Sequence, residues 1–344
     1  MRTRGAVSRG TIFVAVLVLA VAGTAAFWLF QPKSDLVVYV ALDQEYAEPI
    51  LREFERQSGK RVAVKYDTES VKSIGFFNEL KGQQDRPQAD VFWNNEIVLT
   101  IRLKQAGVLA PYRSPSAAAV PAQFKDPEGC WTGFAARARV IIYNKQLLPE
   151  EKAPQRVADL LNWGGKATLA RPLAGTTFAH AAVLWARDEA AARAFFDGAA
   201  AQETGLFVSG GNAQVRENVA AGRQSVGLTD SDDAYGAMDD GQPVGIVWPD
   251  QEPGGAGVLL LPNTVALIAG APHPEAAKQL IDYLLSPEVE AALARSRARQ
   301  IPLQRGVAAP AGLPALKNLR LMKVDFARAA EAQAAAQKYL GEKF

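Results

Sequence analysis

Short apolar runs along this chain give way repeatedly to stretches with helical spacing. Residues 36–41 are apolar, and 45–57 set Ile50, Leu51 and Phe54 on one helical face. Residues 62–66 alternate as a strand does, 70–81 read as helix, and a short strand at 89–93 leads into a helix over 96–105. Such repetition predicts a parallel sheet with helices on both faces and its strand-to-helix loops gathered at one edge. Those loops are Leu42-Asp43-Gln44-Glu45, Asp67-Thr68-Glu69-Ser70 and Asn94-Asn95-Glu96.

Residues 137–144 make the next strong strand, and beyond them the pattern restarts. A strand at 167–170 precedes Gly175-Thr176-Thr177, which opens a helix through Trp185. Glycine and paired threonines at a helix start offer N–H and hydroxyl groups to an anion, although capping alone explains one threonine. A strand at 206–208 leads through Gly210-Gly211-Asn212 into a helix to Ala221. The chain then returns through two apolar segments around Pro262-Asn263, amphipathic helices at 274–286 and 287–297, and an Ala-rich helix over 324–340. Two sheets whose loop edges face each other make a cleft.

The stretch from Val226 to Tyr235 stands out. Its apolar run ends in Asp230, Asp232 and Asp233, three carboxylates within four residues, where a strand meets a helix start. That junction lies at the carboxyl edge of a sheet, where α/β proteins bind ligands. Asp230 or Ser231 is expected to cap the helix. Three adjacent acids repel unless water, a cation or donors compensate them, so the excess points to a ligand contact.

Composition narrows the class. A net charge of +2 argues against a nucleic-acid surface, and a single cysteine, Cys130, gives neither an internal disulfide nor a cysteine metal site. His180 and His273 are too few for a multi-histidine site. At the N-terminus, Arg2, Arg4 and Arg9 precede a charge-free run over 11–30. As a helix that run spans about 30 Å, the thickness of a hydrocarbon core, and the arginines hold its start in the cytoplasm. Gly23-Thr24-Ala25-Ala26 offers a signal-peptidase site, but cleavage there leaves Phe27-Trp28-Leu29-Phe30 exposed, which favours an uncleaved anchor. No cysteine stands at the end of the run, so a lipoprotein is excluded.

At Tyr39 to Asp43, Ala89-Asp90-Val91-Phe92-Trp93, Gly133 to Tyr143, and Ala271-Pro272-His273-Pro274-Glu275-Ala276-Ala277 through Ser286-Pro287-Glu288, the chain resembles bacterial extracellular solute-binding proteins. More narrowly it resembles the ferric-iron-binding group that serves ABC importers, in order over about 36–303. The resemblance implies an α/β, two-lobed periplasmic-binding-protein fold of type II, with the ligand in a cleft between lobes. It implies an N-terminal segment at 1–34, a first lobe from 35–138 with about 255–298, and a second from about 139–254 with 299–344. It also implies permease and ATPase partners and a periplasmic location. No cofactor is expected, and a metal ion only as transported ligand.

Ferric binders of the group use a tyrosine pair after a strand resembling 225–228, with a histidine and a glutamate from the first lobe. Laid on this chain, the tyrosine positions fall on Asp232 and Asp233, the histidine on Asp43, and the glutamate near Asn95. Asp43, Asp232 and Asp233 are hard oxygen donors for a cation and equally suit an ammonium group. The group's wider membership includes binders of phosphorylated and phosphonate solutes, and Gly175, Thr176 and Thr177 with Arg137 or Arg139 suit such an anion. The candidate contacts are therefore Asp43, Gln44, Thr68, Glu69, Asn94, Asn95, Arg137, Gly175, Thr176, Thr177, Asp230, Asp232 and Asp233.

Two other classes fit parts of the pattern. Leu228-Thr229-Asp230-Ser231-Asp232 resembles the Asp-x-Asp nucleophile motif of haloacid-dehalogenase phosphatases, but Asp239-Asp240 comes too soon to be that family's second acidic pair. A membrane-tethered ligand sensor is the other.

Overall fold

The computed structural model describes residues 34–67 and 74–344. The expected membrane helix over 11–30, and Thr68 and Glu69, lie outside the described residues. Among those described, no helix is long and apolar enough to cross a membrane.

The first half holds β1 (Leu36–Val40), α1 (Gln44–Ser58), β2 (Val62–Tyr66), α2 (Ile74–Gly82), β3 (Val91–Asn94), α3 (Ile97–Gln105) and the short β4 (Leu109–Ala110). β5 (Thr132–Asn144) follows, buried along its whole length. The second half adds β6 (Ala167–Ala170), α4 (Gly175–Arg187), α5 (Glu189–Ala200), β7 (Phe207–Ser209), α6 (Asn212–Ala220), β8 (Val226–Asp230), α7 (Ser231–Asp239) and β9 (Val244–Val247). β10 (Leu260–Ile268), α8 (Pro274–Leu284), α9 (Pro287–Arg295) and α10 (Phe326–Lys343) complete the chain.

The strands run in the order β2-β1-β3-β10-β5-β8-β6-β7, with β4 on β10 and β9 on β5. The flanks are parallel as the strand–helix repetition predicts: β1 with β2 and β3, and β6 with β7 and β8. The centre differs. β10 is antiparallel to β3 and β5, and β5 is antiparallel to β8 and β9. A parallel neighbour needs a crossover connection, whereas β5 and β10 pass between the two halves and pair as they cross. Through Ala138, β5 pairs with β10; from Arg139 it pairs with β8. This strand carries pairing partners from both halves.

The two apolar segments expected around Pro262-Asn263 are one strand. The register against β5 shifts between those residues, and that irregularity accommodates a proline inside a sheet. β9 and α5 had no assignment in the sequence pattern. The first core packs Trp93 against Phe134, ring centroids 5.5 Å apart, while Ile141, Leu169 and Leu228 anchor a second core. α10 lies across both α3 and α4, and Arg102 Nη1 donates to Gln333 Oε1 at 3.0 Å.

Candidate functional site

β8 is buried from Val226 to Asp230. Gly227 is required there, because a Cβ would meet Val215 Cγ1 at 2.6 Å and Thr168 Cγ2 at 2.9 Å. The close approach sets β8 against α6 and β6 and fixes where its last residue emerges. Antiparallel pairing places Arg139 of β5 directly opposite Asp230. Arg139 is fully buried; its Nη1 donates to Asp230 Oδ1 at 2.6 Å and to Asn212 Oδ1 at 3.2 Å, and its Nη2 to Thr177 Oγ1 at 3.3 Å. The other oxygen, Asp230 Oδ2, accepts from Thr176 Oγ1 at 2.5 Å and Asn212 Nδ2 at 3.0 Å.

This network corrects the expected cap. Asp230 occupies the N-cap position of α7, but its side chain caps nothing, and Ser231 Oγ accepts from the Ala138 N–H of β5 at 3.0 Å instead. A buried guanidinium without a carboxylate is far costlier than an uncapped helix start, so Arg139 takes Asp230. Thr176 and Thr177, expected to face an anion, turn their hydroxyls to the same network, with Thr177 Oγ1 donating to Asn212 Oδ1 at 3.1 Å. Gly175 opens α4 at φ 58°, in the left-handed region that favours glycine. Asp230 would be the nucleophile of the phosphatase motif, and both its oxygens are engaged.

Asp232 and Asp233 are left over. Their side chains retain 11% and 19% exposure in the first turn of α7. Arg137, two residues before Arg139 on β5, sets Nη1 3.5 Å from Asp232 and 3.8 Å from Asp230. Its Nε and Nη2 are buried with no hydrogen-bond partner. Asp233 accepts from Thr229 Oγ1 at 3.0 Å and lies 3.8 Å from Arg216. Burial raises both acids. Asp233 reaches about 7, with Asp232 and Asp230 adding to the effect of burial against Arg216 and Thr229. For Asp232, burial prevails over Arg137, with Asp230 and Asp43 assisting. Burial pulls Arg137 down, but Asp232, Asp230, Asp43 and Asp233 together outweigh it and keep the guanidinium charged.

Asp43 arrives from the other half, at the N-terminus of α1, where its side chain makes no cap bond. Its charge is felt by Arg137 and Asp232 across the interval between the halves. Tyr46, one turn on, has its phenol raised by burial and then by Glu45, Asp232 and Asp43. Sequence reasoning missed Tyr46 and Arg216. The spacing of Asp43 and Tyr46 held a usable signal, because residues three apart share a helix face.

The remaining candidates sit differently. Gln44 is exposed and its Nε2 donates to Glu48 Oε2 at 2.9 Å. Asn94 Nδ2 donates to Glu96 O at 2.5 Å and to Thr100 Oγ1 at 3.0 Å, and Asn95 is buried beside it. Glu96 caps α3, accepting from Val98 N at 2.7 Å and Leu99 N at 2.8 Å, while burial raises it to about 7. The structure thus brings together Arg137, Asp230, Asp232 and Asp233, with Asp43 and Tyr46 facing them; Asn94 and Glu96 serve their own helix start. Four aspartates meet three arginines here, one more acid than base.

Known proteins agree with this architecture. Over 309 residues the chain is 25% identical to the "Fe(3+)-binding periplasmic protein" of Serratia marcescens, covering 85% of this chain and 86% of that protein. It is 27% identical over 216 residues to the "Putative 2-aminoethylphosphonate-binding periplasmic protein" of Salmonella typhi, 61% of each chain. The crystal structure of iron-bound HitA from Pseudomonas aeruginosa superposes with a TM-score of 0.79 at 22% identity, over 89% of this chain and 99% of that one. The likeness to HitA is one of fold, the two-lobed periplasmic-binding fold. The family model described as "Bacterial extracellular solute-binding protein" matches residues 87–331, and the chain belongs to that family.

Proposed function

We propose that this solute-binding protein captures a small amine-bearing phosphonate or phosphate between its lobes and delivers it to an ABC importer. Arg137 carries the reading. Its Nε and Nη2 are buried and unpartnered, and a guanidinium fork matches the paired oxygens of a phosphonate. Asp232, with Asp233 and Asp43, supplies the surplus negative charge that an ammonium group needs. The Salmonella typhi relative is named for a solute that carries both groups. The ligand contacts are Arg137, Asp43, Asp232 and Asp233, with Tyr46 beside them.

The lobes comprise 35–138 with about 255–298, and about 139–254 with 299–344; β5 changes partners at 138/139, which supports the boundary. Two tail contacts cross it: Ile301 bonds Ala136, and α10 touches α3 as well as α4. Closure on ligand is hinge-like, and small-angle scattering at saturation should give a smaller radius of gyration. The charge-free run over 11–30 tethers the protein to the periplasmic face of the inner membrane, so the intact mass of the native protein should include that run rather than fit a chain beginning near Phe27.

A metal cation is the second reading. Asp230, Asp232 and Asp233 each offer an oxygen within 4.8 Å of the others, and the Serratia marcescens relative is named for ferric iron. Against it, Asp230 is held by Arg139, Thr176 and Asn212, and Arg137 sits 3.5 Å from Asp232, where it competes with any cation. Calorimetry with 2-aminoethylphosphonate, and separately with ferric citrate, decides. Heat with the phosphonate alone supports the first reading, and heat with ferric citrate alone replaces it.

A further inference from the structure

β5 carries one residue too many. Opposite β10, Ala136 pairs with Pro262 and Phe134 with Asn263, so Ala135 has no partner across the strand. It is a β-bulge, with Ala135 at φ 41°, a conformation non-glycine residues seldom adopt. The surroundings hold it there. Ala135 N donates to Glu290 Oε1 at 2.8 Å, and the Ala135 carbonyl accepts from Asn263 Nδ2. Glu290 is wholly buried and takes two further backbone donors, Leu303 N at 3.0 Å and Gln304 N at 2.8 Å. Asn263 Nδ2 also reaches Gln300 Oε1 at 2.8 Å. The next residue, Ala136, exchanges both backbone hydrogen bonds with Ile301.

We infer that Glu290 and Asn263 are positioning residues for the solute site, pinning the Ala135 bulge so that Arg137 emerges toward Asp230 and Asp232. Side chains alternate across a strand, so one inserted residue decides which face every later residue takes. Without the extra residue, Arg137 and Arg139 exchange faces with Ala136 and Ala138 and leave the acids. Bulges next to binding sites re-aim side chains in this way. The bulge's N–H and C=O cannot be satisfied by β10, and a buried unpaired backbone group is costly, so Glu290 and Asn263 supply what the ladder does not. Arg137 is the endpoint because Arg139 is additionally tied by Asp230, Asn212 and Thr177, whereas Arg137 has two unpartnered nitrogens. The inference rests on Arg137 being a ligand contact.

The test pairs crystallography with a mutant cycle on the full chain. In Glu290→Gln, one of the two acceptor oxygens becomes an N–H donor set against a backbone N–H, and the structure should show Arg137 displaced from Asp232. The affinity for 2-aminoethylphosphonate should fall about tenfold in Glu290→Gln and about hundredfold in Arg137→Ala, with the double variant no weaker than Arg137→Ala. Asn263→Ala, a milder change, should follow the same pattern if Glu290→Gln does not fold. Additive losses, or an unmoved Arg137 in the folded variant, overturn the positioning role and leave the solute reading standing. Wild-type affinity in Arg137→Ala overturns both. If the phosphonate does not bind at all, the solute reading falls, and the place of Arg137 in the variant crystal structure alone decides the positioning role.

Discussion

The end of β3 and the end of β8 are built alike, each a strand running into acid at a helix start, and they come to opposite uses. After β3, Glu96 spends both oxygens on the Val98 and Leu99 N–H groups of α3. Asn94 closes on the Glu96 carbonyl and Thr100. After β8, Asp230 ignores its helix and pairs with Arg139, and the nearest cations to Asp232 and Asp233 are Arg137 at 3.5 Å and Arg216 at 3.8 Å. Both ends hold a carboxyl raised to about 7. For Glu96 burial acts against two backbone donors and Arg102; for Asp233 burial is reinforced by Asp232 and Asp230. An acid becomes available to a ligand when a second group has taken over the structural task of its neighbour.

Removing that second group should break the contrast most severely. Arg139→Ala leaves Asp230 buried with no guanidinium nearer than Arg137 at 3.8 Å, a change of about 3–5 kcal/mol in stability. Chemical denaturation measures it. Arg139→Met paired with Asp230→Leu should recover part of the loss, because it removes the uncompensated charge but leaves Thr176 and Asn212 without their acceptor. A loss below about 1 kcal/mol in Arg139→Ala would mean that Thr176 and Asn212 suffice to hold Asp230.

How much of this was legible in the sequence follows from the range of the interactions. The β8–α7 junction was, because its cause is local: an apolar run stops at Thr229 and acids begin. The assignment of Asp230 to a cap was wrong because its true partner, Arg139, lies 91 positions away and meets it only through strand pairing. Thr176 and Thr177 join that network for the same reason, through Asp230 and Asn212, which lie 54 and 35 positions away. The parallel flanks were readable from strand–helix repetition, whereas the antiparallel centre depends on two strands that cross between halves. Pro262-Asn263 reads locally as a break, and only the bulge opposite it on β5 lets one strand run through.

The two surplus acids test the other side of the contrast. Asp232→Ala and Asp233→Ala should each lower affinity for 2-aminoethylphosphonate by about hundredfold or more, near 2.7 kcal/mol. The fold should survive, since burial raises both carboxyls beyond what Arg137 and the Asp233 N–H, or Arg216 and Thr229, offset. Calorimetry beside thermal melting gives the two readouts. Wild-type affinity in both variants would put the solute elsewhere.

A finer distinction is in protons. Asp233 is raised from 3.8 to about 7 in the folded chain, so between those values the folded state holds a proton that the unfolded state has lost. Stability from this group is therefore complete below about pH 4, declines as pH rises toward 7, and is level above it. Asp233→Asn should flatten that slope. An ammonium group favours the ionised carboxylate, so phosphonate binding near pH 7 should release protons. Titration in buffers of different ionisation enthalpy reads the number directly, and a value of zero would remove Asp233 from the cation-facing set.

Glu96 supplies the smallest effect and the sharpest control. It too is raised to about 7, so by the same sign its contribution declines as pH rises toward 7. Its oxygens face its own helix, however, and no ligand contact is assigned to it. Glu96→Gln keeps one oxygen for the Val98 or Leu99 N–H and sets an amide against the other, a cap loss of about 1 kcal/mol. The variant should melt slightly lower near neutral pH and show a flatter pH dependence. Its phosphonate affinity and its proton release on binding should match the unaltered protein, because the protons come from the β8 end. If Glu96→Gln lowered proton release as Asp233→Asn does, the two strand ends would share one titration, and the division between a capping acid and a ligand-facing acid would fail.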